Sequence, residues 1–457
     1  MEVKSSKYSL LILLHILAAV IIFLVPFFAK IVCIGILFYG IVYVVKKRNR
    51  NNEVLYVAAY ITGMEVLLRA TDGLPVYEFA KYGVTLMICV GMFFSGFSKN
   101  AVPYWIYLIL LIPSVIIATF VLNSSIEDRK IISFVISGPL CLGICSLYTY
   151  QRKVTYEQIH TILLALALPI VSLTTYLILF NPSVKDVVTG TDSNGMTSGG
   201  FGPNQVSTAL GIGIFVFVAR AILRSKGYRT MALNIVIAII ISFRGIVTFS
   251  RGGIFTAITM ICLLMIGIYF RSNGKAKIKM HYFIIGSLIC AAMVWSYSLA
   301  QTNGLIGNRY ANQDAAGRVK ESKFTGREQL AESELKAFYE NPILGVGVGK
   351  SIEIREAETG INAASHNEIT RLLAEHGSLG ILMLLILFIT PIFLHLGNKE
   401  NFFMFPILFF WLLTINHAAM RIAAPAFIYS LCLLKVDMGL QPKSKKIWQK
   451  RPALHRS

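Results

Sequence analysis

The sequence predicts an all-α polytopic membrane protein of about 12–14 transmembrane helices with one long, partly helical extracytoplasmic loop. Three observations predict it. Apolar runs of roughly 20 residues recur along the whole 457-residue chain, each long enough to cross a hydrocarbon core of about 30 Å. Hydrophobic residues make up 55% of the chain and charged ones only 14%, whereas a soluble domain carries about 25% charged residues. The runs are continuous rather than alternating, which selects helices over a closed barrel, the other structure that satisfies backbone polar groups without water.

Taken in order, the spans fall near 8–28, 30–45, 54–69, 77–97, 103–122, 131–150, 159–180, 206–223, 231–248, 253–270, 281–300, 378–396, 402–416 and 420–435. The second, third and thirteenth are short, which sets the lower bound of twelve. The first run is longer than the apolar part of a signal peptide, about 7–15 residues, and no small-residue cleavage site follows, so it is read as a retained span. The chain divides into N-terminal transmembrane helices over 1–190, core transmembrane helices over 191–300, a long loop over 301–377, C-terminal transmembrane helices over 378–436 and a basic tail over 437–457. It shows no internal repeat and no low-complexity tract.

Charge supplies orientation. The net charge of +20 would suggest nucleic acid in a soluble protein; here it belongs to short connections between spans, and no nucleic-acid partner is expected. With the N-terminus inside, the inner segments hold Lys46, Lys47, Arg48 and Arg50, then Arg152 and Lys153, then Arg224, Lys226 and Arg229, then Arg271, Lys275, Lys277 and Lys279, and finally the tail. The outer segments are poorer, as the positive-inside rule requires. Both termini are therefore expected in the cytoplasm and 301–377 outside. All seven cysteines lie in apolar runs and read as small embedded hydrophobes without a disulfide framework.

The loop is too long for a passive connector. Glu328 to Tyr339 places Leu330, Leu335, Ala337 and Phe338 at near-helical spacing, and Asn341-Pro342 would end that helix. Thr325 or Gly326 would cap it, putting Arg327 in a first turn that favours anions; the plainer reading is a solvated arginine beside a glutamate. Arg251, between Ser250 and Gly252-Gly253, stands at the outer end of a span, where an arginine is costly and marks a site. Its guanidinium suits phosphate and the glycines allow close approach; the alternative is a side chain that snorkels to the interface. His366, in Ser365-His366-Asn367, is flanked by polar residues ahead of the next span and can take a proton at neutral pH. His376 stands behind it, and His417 with Arg421 occupies a tight outer turn. The other histidines read as structural. Gly345 to Ser351 imitates a phosphate loop, but Leu344 stands where its first glycine belongs. No Asp-x-Asp or clustered carboxylates suggest a metal, and no metal or other cofactor is expected.

Together these residues resemble the O-antigen ligase/polymerase family. His366-Asn367, nine residues, then Gly377-Ser378-Leu379-Gly380 reproduces that family's His-Asn-x9-Gly-x-x-Gly pattern. Gly202-Pro203-Asn204-Gln205, Ser250-Arg251-Gly252-Gly253 and Gly326-Arg327 followed by Asn341-Pro342-Ile343-Leu344-Gly345 agree in order and side. The resemblance covers roughly residues 195–395. Two features depart from it: Leu330 follows Arg327 after two residues rather than three, and the span count exceeds twelve. The resemblance implies a metal-independent, inverting glycosyltransferase of the membrane-embedded GT-C type in the cell inner membrane. Its donor would be a glycan on undecaprenyl diphosphate, its acceptor a glycolipid, a growing glycan or a protein. Arg251 and Arg327 would bind the diphosphate and His366 would be the general base, with Asn204, Asn367, His376, His417 and Arg421 behind them. A polymerase of the same family is the alternative within it. A transporter is the alternative outside it, with Glu65 and Arg69 of the third span as its best polar pair, though these two read equally well as a structural salt bridge; a scaffold is the third reading.

Overall fold

A computed structural model of the chain describes residues 5–121, 126–193, 195–320, 327–360 and 364–439. It is 75% helical. The helices are α1 (Ser5–Leu24), α2 (Phe28–Lys47), α3 (Glu53–Ala70), α4 (Phe79–Ser95), α5 (Val102–Val121), α6 (Ile126–Thr149), α7 (Tyr156–Phe180), α8 (Pro203–Leu223), α9 (Tyr228–Ile246), α10 (Arg251–Tyr269), α11 (Gly274–Gln301), α12 (Leu305–Tyr310), α13 (Arg327–Glu340), α14 (Lys350–Thr359), α15 (Glu368–His376), α16 (Ser378–Leu396), α17 (Met404–Ile415) and α18 (Ala423–Ser430). The apolar runs expected to span are helical over most of their lengths, except that the last is helical only over 423–433 and then enters a strand. Ten of the described helices are long and apolar enough to cross a membrane. The chain is an all-α polytopic membrane protein.

Burial separates an inner set from an outer one. The apolar windows of α7 and α8 are 78% and 83% buried, against 11% for α11 and 22% for α2 and α16. The outer helices present residues such as Ile285, Leu288 and Phe393 to their surroundings, as lipid-facing helices must. Small residues let the inner helices touch. A Cβ on Gly63 of α3 would run into the Leu166 carbonyl of α7, and one on Gly253 of α10 into the Ser207 carbonyl of α8. Such small-residue contacts are the usual basis of helix association in lipid.

Helix lengths differ from expectation at two places. α2 is a full 20 residues rather than short. α18 has only 8 residues and α17, in the span expected to be short, has 12, about 12 and 18 Å at 1.5 Å per residue, well under the thickness of a bilayer core. Their connecting turn, residues 416–422, is sunk into the bundle: Ala418, Ala419, Met420 and Ile422 are buried.

One end of the bundle, the loop face, carries the segment between α11 and α16. Cross-links bind this segment to other connections at that end. Lys320 Nζ lies 2.7 Å from Asp192 Oδ1 and Arg309 Nε donates to the Phe249 carbonyl at 3.0 Å. At the opposite end, Lys153–Thr155 (β1) pairs in parallel with Lys435–Asp437 (β2). Within the loop segment, α13 begins and ends where the apolar spacing and Asn341-Pro342 predict. Thr325 and Gly326, the expected caps, lie outside the described residues, as does the basic tail beyond Gly439.

Candidate functional site

The Arg251 centre is built by three helix ends. α8 starts at Pro203, which needs no hydrogen-bond donor in a first turn. Between α9 and α10 the chain turns through Phe249, whose φ of 58° is left-handed, and extended Ser250. Ser250 Oγ donates to Asn204 Oδ1 at 2.8 Å, and Ser207 Oγ donates to the Ser250 carbonyl at 2.9 Å. Asn204 is thus a brace for the turn that aims Arg251. A Cβ on Gly252 would enter the imidazole of His417, so the two glycines after Arg251 serve close approach on both sides. His417 is held by the Leu413 carbonyl at 2.8 Å from Nδ1 and by Thr208 Oγ1 at 3.3 Å from Nε2.

Arg251 is half-buried and opens a 19-residue helix, whose N-terminal end carries positive dipole potential. Its Nη1 donates to the Arg309 carbonyl at 3.4 Å. Arg309 itself is buried, ties its Nε to the Phe249 carbonyl, and lies 3.6 Å from Asp192 Oδ1. Two guanidinium groups therefore share this corner. Sequence reasoning missed Arg309, because nothing local distinguishes it: its role comes from a six-residue helix folding back on the α9–α10 turn. Burial pushes the neighbouring Tyr310 phenol up to about 12, against the pull of Arg251 and Arg309.

The His366 centre is built by α15. Asn367 is its N-cap, with Oδ1 accepting from Ile369 N at 2.9 Å, and Ser365 Oγ accepts from Asn367 N at 3.1 Å. Asn367 is accounted for as a cap. His366, half-buried, sits between these tied residues. Behind it runs a buried ion network. Arg371 bridges Glu368 and Glu375, the latter at 2.5 Å, and Arg355 Nη2 lies 2.6 Å from Glu334 Oε1. Glu375 Oε1 also accepts from Gly349 N at 3.0 Å and Ser351 Oγ at 2.9 Å. Burial pushes the Glu375 and Glu334 carboxyls up despite these partners. Burial also works against the Arg371 cation, but Glu368 and Glu375 more than offset it and raise its pKa.

His376 is fully buried, and its ring nitrogens have no hydrogen-bond partner among the described residues. Burial, then the Arg371 charge, brings its pKa down to about 3, so it is neutral at any physiological pH. The glycines of the phosphate-loop look-alike have a backbone explanation. Gly345, Gly347 and Gly349 all have positive φ, and Val346 N and Gly347 N donate to the Ala374 and Glu375 carbonyls at 2.9 and 3.2 Å. Gly377 turns the chain from α15 into α16, and Gly380 packs against the Leu372 carbonyl.

The buried turn 416–422 joins the two centres. Its His417 packs on Gly252; its Arg421 donates through Nη2 to the carbonyls of Ala364 and Ser365 at 2.6 and 2.8 Å. Asn204, Arg251 and His417 thus form one cluster, His366, Asn367 and Arg421 a second, and one segment touches both. Arg327 opens α13 on the same face; its side chain lies outside the described residues. Among the described residues, no three or more His, Cys, Asp or Glu side chains gather as metal ligands would.

A protein-family model described as O-antigen ligase matches residues 236–385. The matched stretch runs from α9 into α16 and holds Arg251, Arg309, Arg327, His366 and His376. No curated protein matches the chain.

Proposed function

We propose, from the match of residues 236–385 to the O-antigen ligase family, that the chain transfers a glycan from undecaprenyl diphosphate to an acceptor hydroxyl at the outer face of the cytoplasmic membrane. The family supports the coarser statement, a multi-pass membrane enzyme of glycosyltransferase type that acts on a lipid-linked glycan and an acceptor. The observation that carries the finer reading is the shared turn. It packs on the glycine beside Arg251 and holds the residues before His366, so a cationic corner and a candidate base belong to one assembly on the loop face.

In this reading the loop face is extracytoplasmic. The donor is held in the bilayer by its lipid, with its diphosphate at the interface near Arg251 and Arg327. The acceptor hydroxyl gives its proton to the His366 imidazole as its oxygen bonds to the anomeric carbon from the side opposite the diphosphate. The bond from that carbon to the diphosphate oxygen breaks, and the leaving group departs with the electron pair, inverting the sugar carbon. Charge develops on the diphosphate, where fixed guanidinium groups stabilise it without reorganising. Arg309 supports the same step by bracing the turn that aims Arg251. No metal takes part. Glu65 and Arg69 pair with each other and with backbone groups of residues 421 and 423, which supports a structural salt bridge over a transport site.

The test is complementation of a deletion strain with wild type, Arg251→Ala, Arg327→Ala and His366→Ala, with surface glycans resolved on gels and membrane levels checked. Loss of a glycan restored by wild type alone supports transfer. Its banding separates missing attachment, the ligase outcome, from missing chain length, the polymerase outcome. Equal restoration by all variants defeats the assignment.

A further inference from the structure

Three charged side chains from α3 and α4 converge on the buried turn 416–422. Glu65 and Arg69 form an ion pair whose side chains are almost wholly buried, at 2.7 Å. Each also reaches the turn or the helix it leads into: Glu65 Oε2 accepts from Ala423 N, at the start of α18, at 2.7 Å, and Arg69 Nη2 donates to the Arg421 carbonyl at 3.1 Å. Lys81, paired with Glu78, donates to the Met420 carbonyl at 3.3 Å. Buried charges inside a membrane bundle are expensive and call for a reason. Here the reason is visible. A break between two short helices leaves backbone groups without helical partners, and these residues satisfy three of them.

The turn so fixed projects Arg421, whose Nη2 binds the carbonyls of Ala364 and Ser365. These are the two residues before His366, and the residue after it caps α15. The backbone of His366 is therefore held on both sides, by Arg421 on one and by the cap on the other. We propose that Arg421 is a positioning residue for His366, and that the buried Glu65–Arg69 pair acts through it, as the anchor that fixes where Arg421 stands. Arg421 then serves the protein backbone rather than the donor's diphosphate. The inference rests on His366 being the base.

Its test is steady-state transfer by the full-length protein in nanodiscs, with an undecaprenyl-diphosphate-linked glycan as donor and the acceptor identified by complementation. For Arg421→Gln, kcat should fall, by up to roughly 10²-fold for a misplacement of about 1 Å, while donor KM stays near wild type. Arg421→Lys should recover part of it, and Glu65→Gln should lower kcat in the same way to a smaller extent. If Arg421→Gln fails to accumulate, Arg421→Lys and Glu65→Gln decide: a wild-type kcat in both overturns the proposal. A raised donor KM with unchanged kcat in any Arg421 variant also overturns it, since that marks substrate binding. Full activity in His366→Ala would instead remove the reading on which it rests. Inactive His366→Ala beside fully active Arg421 and Glu65 variants defeats this inference alone.

Discussion

Arg251 and His366 owe their placement to close-packed glycines, a helix cap and two neighbouring arginines, Arg309 and Arg421. Gly252 and Gly253 follow Arg251 because His417 and Ser207 leave no room for a Cβ. Gly253→Ala should therefore push α10 from α8 and destabilise the fold by roughly 1–3 kcal/mol, as overpacking does, with loss of thermal stability in detergent as the readout. Unchanged stability would contradict the close packing. His366→Ala should lower transfer by roughly 10²–10⁴-fold, the usual contribution of a general base, without lowering membrane abundance; a protein lost from the membrane would point to a structural role instead. Arg251, His366 and the glycines could be read from the sequence because they sit in compact local patterns. Arg309 could not: its partner Phe249 is 60 residues away, and only folding brings a solitary arginine to that turn.

At the scale of elements, α15 links the candidate base to the loop's interior. Asn367→Ala removes its cap and should cost about 1 kcal/mol, seen as faster amide exchange confined to the start of α15; unchanged exchange there would contradict the cap. His376 makes α15 sensitive to acid. Its folded pKa of about 3 lies below the ordinary value of about 6.5, so below that value the unfolded segment takes up a proton that the folded one refuses. Its contribution is complete above about pH 7.5 and declines as pH falls through 6.5, by about 2 kcal/mol at pH 5. The buried Glu334 and Glu375 carboxyls, displaced upward, act in the opposite sense, so the His376→Leu variant is the control. Exchange protection in α15, compared between wild type and His376→Leu from pH 7.5 to 5, should fall in wild type relative to the variant if the ring is buried neutral. A parallel decline in both would contradict it. The helix over 328–339 was legible because its apolar residues keep helical spacing. The turn between α17 and α18 and the shortness of α17 were legible too, from Asn416, His417 and Arg421. The early end of α18 was not, because apolar residues 431–434 prolong the run while pairing of Lys435–Asp437 with Lys153–Thr155 takes the chain out of the helix.

For the whole molecule, hydropathy alone was enough to place the helices of the apolar runs, since lipid demands long apolar stretches, but not the loop helices α12, α14 and α15, which are short and polar. Packing order was hidden, because an apolar residue facing lipid and one facing α7 look alike in sequence. Sidedness rests on the charge pattern. Single cysteines at Ser225, between α8 and α9, and at Asn312, in the loop segment, should react differently with an impermeant thiol reagent added to intact cells. Asn312→Cys should label and Ser225→Cys should label only after permeabilisation. The reverse pattern would put the loop face in the cytoplasm and remove the outer-face donor site.

The central claim is that one assembly on the loop face transfers a glycan from a lipid diphosphate with His366 as base. The most direct measurement supplies purified protein in nanodiscs with an undecaprenyl-diphosphate-linked glycan and an acceptor, and follows both glycosylated acceptor and released undecaprenyl diphosphate. The account predicts equimolar formation of the two by wild type, and loss of both in His366→Ala and Arg251→Ala proteins of normal stability. Transfer that survives both substitutions, or donor consumption without glycosylated acceptor, would contradict it.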